Sequence, residues 1–239
     1  MAIKTLNDYN IANKKILVRA DLNIPIENGK ISDNSRLISA IPTIKTIKSL
    51  GGITILISHF GRPGGLYKEQ LSLKQVIPEL ERLLNFPVKF SSELVGRNVL
   101  KKIDSLTSGE ILLLENTRFF AEEEMNDESF SIELSKLGDI FCNDAFSSSH
   151  RAHASTVGVS KLLPNCAGHL MKKEIDTLEN VLKKPQKPLT AVVGGAKIST
   201  KLNLLLNLIK KVDYLIIGGG MANTFLFAKG LQVGKSLCE

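Results

Sequence analysis

The chain contains no tryptophan, 5% aromatic residues and three cysteines in 239 residues. So few aromatics leave no platform on which nucleobases would stack. Cys142, Cys166 and Cys238 are widely spaced and form no CxxC pair. That spacing argues against a zinc site and against a disulfide framework, and it fits a reducing, cytoplasmic setting. No apolar run reaches the roughly eighteen residues of a membrane span. The first residues, Met1-Ala-Ile-Lys-Thr-Leu-Asn-Asp8, lack the apolar segment of a secretion signal. GxGxxG is missing, which disfavours a dinucleotide fold, and so is the GxSxG elbow of a serine hydrolase.

Positive charge is in excess, at +7. The lysines are dispersed, mostly as pairs such as Lys14-Lys15, Lys101-Lys102 and Lys210-Lys211. With no basic run and no basic amphipathic helix, the surplus reads as a solvated surface, and nucleic acid is disfavoured.

Short β-rich runs alternate with helical spacing. Lys15–Ala20, Ile53–Ile57, Ile111–Leu114 and Ile140–Cys142 read as strands, with a shorter one at Val88–Phe90. Between them, Ser35–Leu50, Leu73–Leu84 and Phe130–Leu137 carry apolar residues at helical intervals. This alternation predicts an α/β protein with a parallel sheet and helices on both faces. Beyond Pro164, Gly168–Lys184 reads as one amphipathic helix with Leu170, Ile175, Leu178, Val181 and Leu182 on its apolar side. A Pro-containing stop follows, and a second β-α-β unit starts at Leu189–Val193 and continues through Tyr214–Ile217. The expected division is a first lobe at 1–167, a joining helix at 168–184 and a second lobe from 185. That second lobe looks cut short, since two strands make a poor independent sheet.

Four arginines stand out. Arg62, Arg118 and Arg151 follow predicted strands closely, and Arg36 lies in a polar stretch soon after the first. In a parallel sheet, segments leaving the carboxyl ends of strands converge on one crevice. Guanidiniums gathered there suit a small, multiply charged anion, because they grip phosphate and carboxylate bidentately. Asp21-Leu-Asn23 follows strand one and serves equally well as turn chemistry or as hydroxyl recognition. In Ser58-His-Phe-Gly-Arg-Pro-Gly-Gly65, glycines allow close backbone approach while His59 and Arg62 supply donors. His150 and His153 lie three apart without a third metal ligand, so a polar anion loop is the better reading. The run Glu122-Glu-Glu-Met-Asn-Asp127 reads as a solvated loop face. Gly194-Gly-Ala-Lys197 leads from a strand towards a helix, which would aim backbone N–H groups and Lys197 and Lys201 at phosphate. Gly230-Leu-Gln-Val-Gly-Lys-Ser236 has one residue too few for a Walker A loop and is rejected as one.

Taken in order, Asp21-x-Asn23-x-Pro25, His59-Phe-Gly-Arg-Pro63, Glu115-Asn-Thr-Arg-Phe119, Asn143-Asp-Ala-Phe146, His150-Arg-Ala-His-Ala-Ser-Thr156, Gly194-Gly-Ala-Lys197-x-x-x-Lys201 and Gly218-Gly-Gly-Met-Ala-Asn-Thr-Phe225 resemble the motifs of phosphoglycerate kinases over essentially the whole chain. The resemblance implies two Rossmann-like lobes joined by a helix, with this second lobe incomplete. It also implies reversible phosphoryl transfer between 1,3-bisphosphoglycerate and ADP, giving 3-phosphoglycerate and MgATP, in a cytoplasmic, monomeric glycolytic enzyme with no membrane or nucleic-acid partner. Asp21, Asn23, Arg36, His59, Phe60, Gly61, Arg62, Arg118 and Arg151 would bind 3-phosphoglycerate. Lys201, Gly195, Ala196, Lys197 and Gly219 would face the nucleotide. Arg36, Lys197 and Lys201 would act on the phosphoryl group itself, with hinge closure bringing Arg36 and Lys201 together. Mg2+ would arrive with ATP or ADP, and the late Gly-rich, Asp-bearing segment that serves magnesium and phosphates in the family is not found in this sequence. Ser147-Ser-Ser149 departs mildly from the family pattern of glycine and a small residue. A non-catalytic 3-phosphoglycerate-binding module is the alternative.

Overall fold

Alternation within the apolar runs builds the sheet. In β1 (Lys15–Ala20), Ile16, Val18 and Ala20 face one apolar cluster and Leu17 the other. Such two-sided burial is characteristic of parallel strands. A small antiparallel hairpin follows, β2 (Ile26–Glu27) with β3 (Lys30–Ile31), and then α1 (Ser35–Ser49). Next come β4 (Ile53–Ile57), α2 (Ile77–Leu84), β5 (Lys89–Ser91), α3 (Arg97–Asp104) and β6 (Ile111–Leu114). They are followed by α4 (Ala121–Met125), α5 (Glu128–Ser135), β7 (Ile140–Asp144), β8 (Asn165–Ala167) and α6 (His169–Lys183). The chain continues with β9 (Thr190–Gly194), α7 (Leu202–Leu208), β10 (Tyr214–Gly218) and α8 (Gly220–Ala228). The computed structural model describes residues 3–27, 29–183 and 185–239.

Six strands form one parallel sheet in the order β5-β6-β4-β1-β7-β8. Helices α1 and α2 cover one face through Leu37, Ile44, Ile47 and Leu80. The other face is covered by α3 and α5 through Val99, Ile103, Phe130 and Leu134. The chain runs from β1 out to one side and then returns to place β7 on β1's other flank. Loops at the carboxyl ends of β6, β4, β1 and β7 therefore lie side by side around the point where the order reverses, the usual place for a ligand in such sheets.

The chain divides into two units, Met1–Ile175 and Asp176–Glu239. In the second, β9 and β10 pair in parallel, with Val193, Leu205 and Met221 as the buried core.

Several boundaries differ from expectation for local reasons. Pro78 lies in the first turn of α2, where its missing N–H costs nothing. The chain enters that helix through a 3-10 turn, Leu73–Val76, instead of starting the helix at Leu73. The short segments α3 and β8, which sequence periodicity did not pick out, are present. The acidic run is not a loop, because Ala121–Met125 is helical and Glu123 is fully buried. In α6, Leu170 and Ile175 are half-buried, whereas Leu178 and Val181 are exposed, having passed the limit of the first unit. Lys184 and the side chain of Leu182 lie outside the described residues.

Candidate active site

At the end of β1, Arg19 is buried and each of its three guanidinium nitrogens has a partner. Nε donates to Ser155 Oγ at 3.0 Å, one terminal nitrogen to Ala20 O at 2.6 Å, and the other to His59 Nδ1 at 3.0 Å. Burial lowers the pKa of Arg19, and Glu123 and then Asp21 oppose the shift. Sequence reasoning missed Arg19 as a site residue. The signal available was an arginine within an otherwise apolar buried strand, which demands charged or polar partners.

Asp21 and Asn23 form the turn beyond β1. Asp21 Oδ1 accepts from the Asn23 amide at 3.2 Å and from Arg36 at 3.2 Å, while Oδ2 accepts from Ser147 Oγ at 2.6 Å. Arg36, in the first turn of α1, also donates to Asn23 O at 2.8 Å and remains about half exposed. Asn23 Oδ1 accepts from the Gly61 amide at 2.9 Å. The turn reading of Asp21 and Asn23 holds, and their side chains also anchor Arg36 and Gly61.

Beyond β4, Ser58 Oγ accepts from the Leu22 amide at 3.0 Å. Phe60 is buried and clamped by Asn116, whose Oδ1 accepts from the Phe60 amide at 3.1 Å and whose Nδ2 donates to Phe60 O at 2.7 Å. Gly61 has a φ of 62°, and an added Cβ would lie 2.7 Å from Leu71 Cδ2, so only glycine fits without a shift. Arg62 is exposed. His59 is buried, and burial first, then Arg19, Arg118, Arg151 and Arg36, push its pKa down to about 2. It is neutral at physiological pH, and three of the four arginines singled out from sequence, Arg36, Arg118 and Arg151, are among the charges that act on it.

The loop after β6 supplies the scaffold. Glu115 accepts from Ser72 Oγ, the Leu73 amide and the Asn116 amide at 2.7–2.9 Å. Arg118 is buried and donates to Gly61 O at 2.9 Å. Its Nε lies 3.3 Å from Glu124 Oε1 but off hydrogen-bond direction, so that donor has no protein acceptor. Burial lowers the pKa of Arg118, with Glu124 opposing and Arg151 and Arg62 adding repulsion. After β7, residues 143–158 wrap through a 3-10 turn and a π turn that buries Ser155 and Thr156. Arg151 is half-buried there. Asp144 accepts from the amides of Leu170 and Met171, capping the start of α6. The pKa of Asp144 is raised by burial.

Arg36, Arg118 and Arg151 therefore lie near His59, with Arg62 near Arg118, and Asp21 and Glu124 beside Arg36 and Arg118. Guanidiniums grouped beside a neutral histidine suit an anion with several oxygens.

In the second unit, β9 ends at Gly194 and the chain turns through Gly195, Ala196 and Lys197 into a 3-10 turn, Ser199–Lys201. Lys197 precedes that turn and does not share a helix face with Lys201, because the predicted helix starts only at Leu202. Lys201 Nζ donates to Gly194 O at 2.6 Å, and Lys197 is exposed. Gly195 O accepts from the Met221 amide at 2.9 Å. Gly219 has a φ of 66°, and a Cβ there would lie 3.0 Å from Gly195 O. The turn already holds an anionic group, for the Ser199 amide and hydroxyl both donate to the Glu239 carboxylate. Segment 230–236 follows helix α8 and not a strand, as a P-loop would require. Among the described residues, no cluster of three or more His, Cys, Asp or Glu could hold a metal ion, and no helix is long and apolar enough to cross a membrane.

The phosphoglycerate kinase family model matches residues 6–239. Phosphoglycerate kinases of Ruegeria pomeroyi and Rhodospirillum centenum are 54% and 52% identical to the whole chain, which spans 60% of their length. Among solved structures, phosphoglycerate kinase from Coxiella burnetii superposes with a TM-score of 0.85 at 41% identity, covering 100% of this chain and 60% of that one. The Pyrococcus horikoshii OT3 enzyme gives 0.84 at 34% identity, covering 96% and 58%. Fold, ordered motifs and matched residues agree, and the chain belongs to the phosphoglycerate kinase family.

Proposed function

We propose that this chain takes part in reversible phosphoryl transfer between 1,3-bisphosphoglycerate and ADP, forming 3-phosphoglycerate and ATP. The observation that carries the reading is the convergence of Arg19, Arg36, Arg118 and Arg151 on neutral His59 at the carboxyl edge of the sheet. Arg62, Arg118 and Arg151 hold the phosphate of the glycerate. Asp21, Asn23, His59, Phe60 and Gly61 shape the pocket around the rest of the molecule. Arg36, tethered by Asp21 and Asn23 and half exposed, neutralises charge on the phosphoryl group as it moves. An acyl phosphate is already a reactive donor, so positioning and charge neutralisation supply the catalysis.

The nucleotide phosphates are assigned to Gly195, Ala196, Lys197, Lys201 and Gly219. Support comes from Ser199, whose amide and hydroxyl already bind a carboxylate beside them. Magnesium enters as part of MgADP or MgATP. The domain assignment follows: residues 1–167 for the glycerate, 168–184 as the joining helix, and 185–239 for part of the nucleotide site. A monomeric, cytoplasmic glycolytic enzyme is the setting this reading implies.

Two measurements test it. Calorimetric titration with 3-phosphoglycerate should show one site, lost in Arg118→Met. A coupled assay should show product formation that requires both 3-phosphoglycerate and MgATP. A chain that binds 3-phosphoglycerate yet forms no acyl phosphate would be a binding module instead, and a chain that binds none overturns the assignment of the cleft.

A further inference from the structure

A buried polar chain runs from Glu123 through Ser155 and Arg19 to His59. Glu123 and Ser155 are fully buried, Arg19 nearly so, and His59 largely so. Glu123 accepts from the Ser155 amide at 2.8 Å through one oxygen and from Ser155 Oγ at 2.5 Å through the other. Ser155 Oγ has only one proton, which it gives to Glu123, so it presents a lone pair to Arg19 Nε at 3.0 Å. Arg19 then meets His59 Nδ1 at 3.0 Å. A guanidinium has donors and no acceptor, so Nδ1 must supply its lone pair. The remaining ring proton of a neutral imidazole then sits on Nε2, for which no protein acceptor is present among the described residues.

We propose that Glu123, acting through Ser155 and Arg19, is a positioning residue that fixes His59 as the Nε2–H tautomer and so presents it to the bound anion as a neutral donor. Polarity in the chain is set at Arg19, which can only donate, to Ser155 Oγ on one side and to His59 Nδ1 on the other, while Ser155 Oγ in turn donates to Glu123. Glu123 starts it as a carboxylate that orients the hydroxyl. Without that acceptor, Ser155 Oγ is free to turn its proton elsewhere, and Arg19 loses both a fixed acceptor and the nearest compensating charge. The low pKa of His59 agrees with a ring that stays neutral among four guanidiniums. A neutral donor serves the site better than a cation here, since an imidazolium would be repelled by Arg19, Arg118, Arg151 and Arg36. The role of the relay in ligand binding rests on the assignment of this cleft to 3-phosphoglycerate, while the tautomer itself does not.

The test is long-range 1H–15N correlation spectroscopy on the full 239-residue chain, with His59 signals identified by their loss in His59→Gln. The ligand-free chain should show a single Nε2–H tautomer from pH 5 to 8. Arg19→Met should release Nδ1, giving exchange between tautomers. Glu123→Gln and Ser155→Ala should each release it in part and weaken 3-phosphoglycerate binding by about tenfold. Ser155→Thr, which keeps the hydroxyl, should restore both. Ser155→Ala removes a single oxygen and reads the relay even if Glu123→Gln does not fold. An Nδ1–H tautomer in the parent chain overturns the proposal, as do unchanged His59 signals in folded Ser155→Ala. If the parent shows the expected tautomer but binds no 3-phosphoglycerate, the relay stands and the assignment of the ligand falls.

Discussion

At the scale of residues, the cleft is a balance between buried charge and the groups that compensate it. Arg36 is half exposed while one terminal guanidinium nitrogen is held by the Asp21 carboxylate and by Asn23 O. Arg36→Ala is expected to raise the barrier to turnover by about 3 kcal/mol, as loss of one preorganised charge contact does. Binding of 3-phosphoglycerate should change far less, and steady-state kinetics set beside calorimetry would separate the two. His59 carries a pH signature. The unfolded imidazole protonates near 6.5 and the folded one near 2, so between those values the unfolded chain binds the extra proton. The stability contributed by neutral His59 is complete above pH 6.5. It falls as the pH drops, by up to ~1.4 kcal/mol per unit. Urea midpoints at pH 7 and pH 5 should therefore drop more for the parent than for His59→Gln, and an equal drop would contradict the assignment. The arginine positions were legible from their places after strands. Arg19 and Glu123 were not, because their partners lie far away in sequence and a strand arginine or an acidic run looks solvated without them.

At the scale of elements, one buried asparagine organises two loops. Asn116 accepts from the amides of Phe60 and Arg118 and donates to Phe60 O and Leu71 O. Asn116→Ala leaves those buried backbone groups unpaired, and stability should fall by about 2–3 kcal/mol in urea unfolding. The same substitution should weaken 3-phosphoglycerate binding, because the loop bearing His59 and Gly61 loses its clamp. Gly61→Ala acts on that loop from within. At a φ of 62° and 2.7 Å from Leu71, the added methyl should destabilise by more than the ~1 kcal/mol that the same change gains where the backbone suits alanine. A melting temperature equal to that of the parent would show that Leu71 gives way freely. Periodicity located α1, β1, β4 and β6 well, since each has a continuous apolar pattern. It missed α3, where two buried side chains, Val99 and Ile103, sit among charged neighbours, and β8, which has only three residues.

At the scale of the whole molecule, the two units differ in how much they bury. Met1–Ile175 packs apolar clusters on both faces of a six-stranded sheet. In Asp176–Glu239, a two-stranded sheet leaves Val192, Tyr214 and Ile216 on one face, respectively 72%, 62% and 53% exposed. Local stability follows buried apolar area and core density. Amides of β9 and β10 should therefore exchange with solvent well before those of β1 and β4, and urea should unfold the chain in two steps with the second unit first. A single cooperative transition with uniform protection would contradict this.

Sequence alone determined the α/β class, the parallel sheet and the family, because strand hydrophobicity and the ordered motifs are local properties of the chain. It also placed Arg62, Arg118 and Arg151 at strand exits, where a parallel sheet must collect them. Only the tertiary structure decided which polar groups are buried together. It joined Glu123, Ser155, Arg19 and His59 across four separate segments, set the proton of the imidazole, and placed Lys197 in a loop before the Lys201 turn. Those outcomes depend on desolvation and on donor–acceptor matching between distant residues, and neither leaves a periodic trace along the chain.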